Sequence, residues 1–165
     1  MSTSAPPVLF LDFDGVLHPD EVYRVRGQIV LRRDGISLFE WAPLLAEALA
    51  PHPSVRIVLS TSWVRVVGFD EARKRLPPPL RERVVGATWH SQLNQDWWFS
   101  ISRYEQIAGY TKRHSVTRWL ALDDDVTIWG EEHLERLIET DSTLGLAQPG
   151  KLDELKQKLL ELTGA

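Results

Sequence analysis

Asp12-Phe13-Asp14-Gly15 follows directly on Val8-Leu9-Phe10-Leu11, an unbroken apolar run of the kind found in strands buried on both faces. Two carboxylates one residue apart at a strand end can face a single pocket when a glycine lets the chain turn behind them. Such a pair suits a hard cation such as Mg²⁺; alternatively, one acid attacks as a nucleophile while the other handles protons. A solvated Asp-Gly turn is the bland alternative. A second group, Ser60-Thr61-Ser62, follows the apolar run Val55 to Leu59 and offers hydroxyls and turn amides that can hold a phosphate oxygen or merely cap a helix. A third, Asp123-Asp124-Asp125, follows Trp119 to Leu122. Three successive acids repel one another unless solvated or metal-bound, and a buried strand delivers at least the first two to its edge. Asp125 also reads as part of an exposed acidic turn.

These groups meet only if their strands lie side by side and point the same way. The apolar runs Val8 to Leu11, Val55 to Leu59, Val84-Val85 and Trp119 to Leu122 alternate with helical stretches, which predicts a single Rossmann-like three-layer α/β domain with a central parallel sheet. Ser37 and Glu40 have capping-box spacing ahead of Phe39, Leu44, Leu45, Ala48 and Leu49, so a helix is expected there until Pro51. Asp70 is expected to cap a short helix to Leu76, and Pro77-Pro78-Pro79 to break it. Arg103 to Tyr110 and Lys151 to Leu162 are further helices, the second with Leu152, Leu155, Leu159 and Leu162 on one face. Val22 to Leu31 alternates apolar and polar residues around Gly27, a hairpin pattern beside the first acids.

Composition narrows the chemistry. With 165 residues, the chain fits one domain able to bury roughly 70% of its unfolded surface. We divide it into a flexible leader over 1–7 and a domain over 8–165. Cysteine is absent, which removes thiol catalysis, disulfides and thiolate-bound metals. No apolar run approaches the ~20 residues of a membrane span, so a soluble, cytoplasmic protein without membrane contacts is expected. The net charge of -4 argues against indiscriminate nucleic-acid binding but leaves room for a local basic groove.

A strand with DxDGV, a strand ending in Ser/Thr, a basic residue and a strand ending in DD together resemble the haloacid dehalogenase-like (HAD) superfamily, mostly Mg²⁺-dependent phosphatases. More narrowly, LFLDFDGVLHP (Leu9 to Pro19), STSW (Ser60 to Trp63), ALDD (Ala121 to Asp124) and Gly145-Leu146 resemble HAD domains of bacterial and phage proteins associated with RNA repair. The resemblance implies a HAD-like domain in which Asp12 is the nucleophile that forms an aspartyl-phosphate and Asp14 is the general acid/base. Gly15 would shape the pocket turn. Ser60 would bind phosphate, with Thr61 and Ser62 adjoining, and Arg103 would be the basic catalytic residue, Lys112 and Arg113 being the alternatives. Asp12, Asp123 and Asp124 would hold Mg²⁺ with the main-chain carbonyl of Asp14.

In that superfamily, inserts form caps over small substrates, whereas here the intervals after the first and second motifs hold no independent cap domain. An open site suits a bulky phosphorylated substrate such as a nucleic-acid end. Arg24, Arg26, Arg32 and Arg33 on the hairpin, with Trp97-Trp98-Phe99 on an expected loop, could contact one. The rivals are a small-metabolite or nucleotide phosphatase closed by dimerisation and a catalytically silent binding module. Oligomeric state stays open. His18 reads equally as a turn residue or a substrate contact, and Trp41, Trp63, Trp119 and Trp129 read as packing residues.

Overall fold

The computed structural model describes residues 4–164, so residues 1–3 of the expected leader lie outside the described residues. Along the chain, β1 (Val8–Leu11) is followed by a hairpin of β2 (Val22–Val25) and β3 (Gln28–Leu31), then helix α1 (Ala42–Leu49). Next come β4 (Arg56–Leu59), α2 (Trp63–Val67), α3 (Phe69–Lys74), α4 (Pro78–Arg81), β5 (Val84–Ala87), α5 (Gln95–Ser100) and α6 (Arg103–His114). The chain ends with β6 (Trp119–Asp123), a 3-10 turn over Glu131–Arg136, β7 (Leu137–Glu139) and α7 (Lys151–Thr163).

Five strands form an all-parallel sheet in the order β5-β4-β1-β6-β7, with β1 at its centre. Strand alternation sorts its side chains onto two faces. Leu9, Leu11, Ile57, Leu59, Leu120 and Leu122 pack with Leu45 and Leu49 of α1 and Leu155 and Leu159 of α7. Val8, Phe10, Val58, Trp119 and Ala121 pack with Ile107 and Tyr110 of α6. The sheet is thus the middle of three layers, as its apolar strands predict. Phe10 meets Tyr110 and Trp119 edge-on, each at 5.6 Å between centroids. Burying a side chain of that size contributes about 1.5–3 kcal/mol.

Several local expectations are corrected. The Ser37/Glu40 pair does not start α1: Glu40 accepts from the Ser37 amide at 3.2 Å, but Phe39 has φ +61° and the helix starts at Ala42 with Pro43 in its first turn. Asp70 lies in the first turn of α3, whose cap is Gly68, and α2 precedes it unannounced. Pro77 breaks the chain, but Pro78 and Pro79 then open α4, where a missing amide donor is harmless. Trp97, Trp98 and Phe99 lie on a helix, α5, rather than a loop; the Asn94 side chain caps it by accepting from the Trp97 amide.

At the edge where the sheet strands begin, Arg118 donates to Ser4 Oγ and the Ala5 carbonyl, and His52 hydrogen-bonds Thr163 Oγ1. Among the described residues, no helix is long and apolar enough to cross a membrane.

Candidate active site

The opposite edge of the sheet carries the acids. Leu11 pairs in register with both Leu59 and Leu122, so Asp12, Ser60 and Asp123 emerge side by side. The Asp12 amide donates to the Leu122 carbonyl and the Ser60 amide to that of Leu11, extending the ladder one step on each side. This is where the strand order reverses, the place at which open α/β sheets form a crevice.

Asp12, Asp123 and Asp124 each offer a carboxylate oxygen within 4.8 Å of the others. Asp12 and Asp123 are buried, and Asp124 is partly so. Burial and the neighbouring Asp123 push Asp12 well above the usual carboxylate range, against the pull of Arg103. Burial raises Asp123 to about 6, with Arg103 opposing, and burial followed by Asp12 raises Asp124 to about 7. One oxygen of Asp123 accepts from the Asp125 amide at 2.9 Å, while the other, fully buried, accepts no directed hydrogen bond. Three converging carboxylates, two of them buried, fit a hard divalent cation with oxygen ligands.

Arg103 is brought to this cluster, whereas Lys112 and Arg113 are exposed farther along α6. A capping box positions it: Ser102 Oγ accepts from the Glu105 amide and Glu105 Oε2 from the Ser102 amide, so α6 begins at Arg103. Its Nη1 donates to the Ser60 carbonyl at 2.6 Å, Nε stands 3.0 Å from Asp123 Oδ2, and Nη2 stands 3.7 Å from Asp12 Oδ2. Burial disfavours the guanidinium charge, but Asp123 and Asp12 outweigh it and raise the Arg103 pKa.

Asp14 stands apart from the three carboxylates. Its Oδ1 accepts from Trp63 Nε1 at 2.8 Å and lies 2.9 Å from Nε2 of the fully buried His18. Because His18 Nδ1 accepts from the Phe39 amide, a neutral His18 carries its proton on Nε2 and donates it to Asp14. Both bonds use Oδ1, leaving Oδ2 for other work. Sequence reading left His18 undecided and took Trp63 for packing alone. His18 stands four residues after Asp14, a faint signal, whereas the indole bond spans 49 residues and had none.

Gly15 has φ +74°, and a Cβ there would collide with the Asp124 carboxylate. Its carbonyl accepts from Thr140, and Ser142 donates to Asp124 Oδ2 at 2.9 Å, a support from the loop after β7 that sequence did not suggest. Ser60 Oγ is buried without a partner, Thr61 Oγ1 accepts from the Trp63 amide, and Ser62 is exposed. Of these three hydroxyls, the Ser60 group is the one that is buried without a protein partner.

No curated protein and no solved structure matches the chain. A family model described as "HAD domain in Swiss Army Knife RNA repair proteins" matches residues 8–150, a stretch that takes in strands β1 to β7 and every acid of the crevice. The chain therefore belongs to that family and is a hydrolase-type domain of the HAD superfamily.

Proposed function

We propose that the protein is a Mg²⁺-dependent phosphomonoesterase of the cytoplasm. The observation that carries this reading is the pairing of two kinds of acid in one crevice: a carboxylate cluster facing Arg103, and a separate carboxylate, Asp14, held by Trp63 and His18. Asp12 attacks phosphorus through a carboxylate oxygen while the ester P–O bond breaks, and Asp14 Oδ2 gives its proton to the leaving oxygen. Asp14 then takes a proton from water as the water oxygen bonds to phosphorus, releasing inorganic phosphate and restoring Asp12. Ser60 and the turn after it bind the phosphate oxygens, with Thr61 and Ser62 adjoining. Arg103 neutralises charge on the transferring group.

Asp12, Asp123 and Asp124 would hold Mg²⁺ with the Asp14 carbonyl. When bound, the ion offsets the mutual repulsion of these acids and polarises the phosphoryl group. Asp12→Asn should lower turnover of a generic aryl phosphate by at least about a thousandfold with an unchanged circular-dichroism spectrum, and EDTA should silence the wild type until Mg²⁺ is restored. Undiminished turnover in either experiment would overturn the reading.

The substrate class we favour is a phosphorylated nucleic-acid end. Support comes from the uncapped crevice, from the name of the family and from the hairpin, where Tyr23 and Arg24 share a cavity of about 140 Å³ with Asp14. Arg32 stacks on Tyr23 at 4.6 Å and Arg33 pairs with Glu21, so of the four hairpin arginines Arg24 is the one that reaches this cavity.

A further inference from the structure

A cleft of about 420 Å³ opens beside Arg103, and Thr61, Ser62, Arg65, Phe99 and Ile128 also line it. Its volume is that of a small-ligand site. Two apolar side chains of its wall are largely exposed. Phe99 is 62% exposed although its neighbour Trp98 already docks α5 onto the domain by packing on Trp89, and Ile128 is 74% exposed. Ile128 also has φ +62°, a left-handed conformation that a β-branched residue adopts only under strain. Asp125, which also lines the cleft, accepts from the Thr127 amide at 3.0 Å and so braces the turn that presents Ile128. Opposite in charge, the Arg65 guanidinium lies 4.7 Å from the centre of the Phe99 ring.

From this juxtaposition of exposed apolar surface, a guanidinium–aromatic stack and Arg103, which lines both the cleft and the acid crevice, we infer that the cleft is a nucleobase subsite: it takes a base of a single-stranded, terminally phosphorylated nucleic acid against Phe99 and Ile128. A base is flat and apolar on its faces and is covalently tied to the anion that Arg103 and Arg65 attract. Stacking of this kind tolerates any sequence, because every base has a π-face. The inference rests on the phosphatase reading and names the part of the substrate next to the reacting phosphate.

Fluorescence anisotropy of a labelled oligonucleotide carrying a terminal phosphate, in 5′ and 3′ versions, tests it in the Asp12→Asn protein, with metal-free wild type as a second host. Phe99→Ala should weaken binding at least about tenfold and Ile128→Ala less, with melting temperatures reporting that both variants fold. An abasic strand of equal charge should bind the parent as weakly as the ordinary strand binds the Phe99→Ala variant. Equal binding by the parent and the Phe99→Ala variant, equal binding of abasic and ordinary strands, or tighter binding of a phosphotyrosine peptide would each overturn the subsite. Turnover of aryl phosphate by the wild type judges the phosphatase reading separately, so the two failures are told apart.

Discussion

Asp14 is the residue whose surroundings decide how the crevice can work. In the proposed mechanism Asp14 must keep one oxygen turned to the substrate to donate and recover a proton, and Trp63 and His18 occupy the other. Trp63 packs edge-on against Phe13 and Phe39, so a phenylalanine in its place keeps a ring there while removing the indole donor. A hydrogen bond to a charged acceptor is worth about 1.5–3 kcal/mol. Trp63→Phe should therefore lower kcat roughly tenfold with KM within about twofold, read by steady-state kinetics on an aryl phosphate. An unchanged kcat would show that Asp14 needs no such support. The acids were legible in sequence because their spacing is local; the indole was not, because a buried tryptophan announces packing whether or not its N–H is used.

At the scale of elements, the site exists because three strand ends stop level with one another, and the turn after β1 has to be thin enough for the end of β6 to close on it. Gly15 provides that thinness. In Gly15→Ala, the new methyl would occupy the place of the Asp124 carboxylate and hold φ +74° at a cost. The Mg²⁺ concentration for half-maximal turnover should rise at least about tenfold; an unchanged metal requirement would remove Asp124 from the metal site. The strands were readable from unbroken apolar runs, and the hairpin from Gly27 between alternating residues. The five-residue α2 and three-residue β7 were not, since neither is long enough to display a period. The start of α1 was misread because the pattern Ser37-Glu40 is also compatible with a turn, and Pro43 decided the matter from inside the helix.

For the molecule as a whole, the crevice is a concentration of negative charge at the centre of its only large sheet among the described residues. Asp123 and Asp124, raised to about 6 and about 7, hold protons in the fold that the unfolded chain releases near pH 4. Stability from this source is present at low pH and disappears as pH rises through those values. On the proposed reading Mg²⁺ would bind the deprotonated acids, so its stabilising effect would run the other way. Thermal melting should show a Mg²⁺-induced rise in Tm that is small at pH 5 and several degrees larger at pH 8; equal shifts at both would contradict the proposed ligands. That the acids form a single cluster followed from their strands being parallel. That Arg103 joins them depends on the start of α6, which Ser102 and Glu105 fix; the sequence pattern gave the helix, and the family resemblance put Arg103 ahead of Lys112 and Arg113.

The contacts of Arg118 with Ser4 and Ala5, and of His52 with Thr163, lie at the edge of the sheet away from the acids. For handling the protein, this geometry gives an orientation: anchoring it to a bead or a sensor surface near Ser4 or Thr163 turns the crevice outward, away from the support.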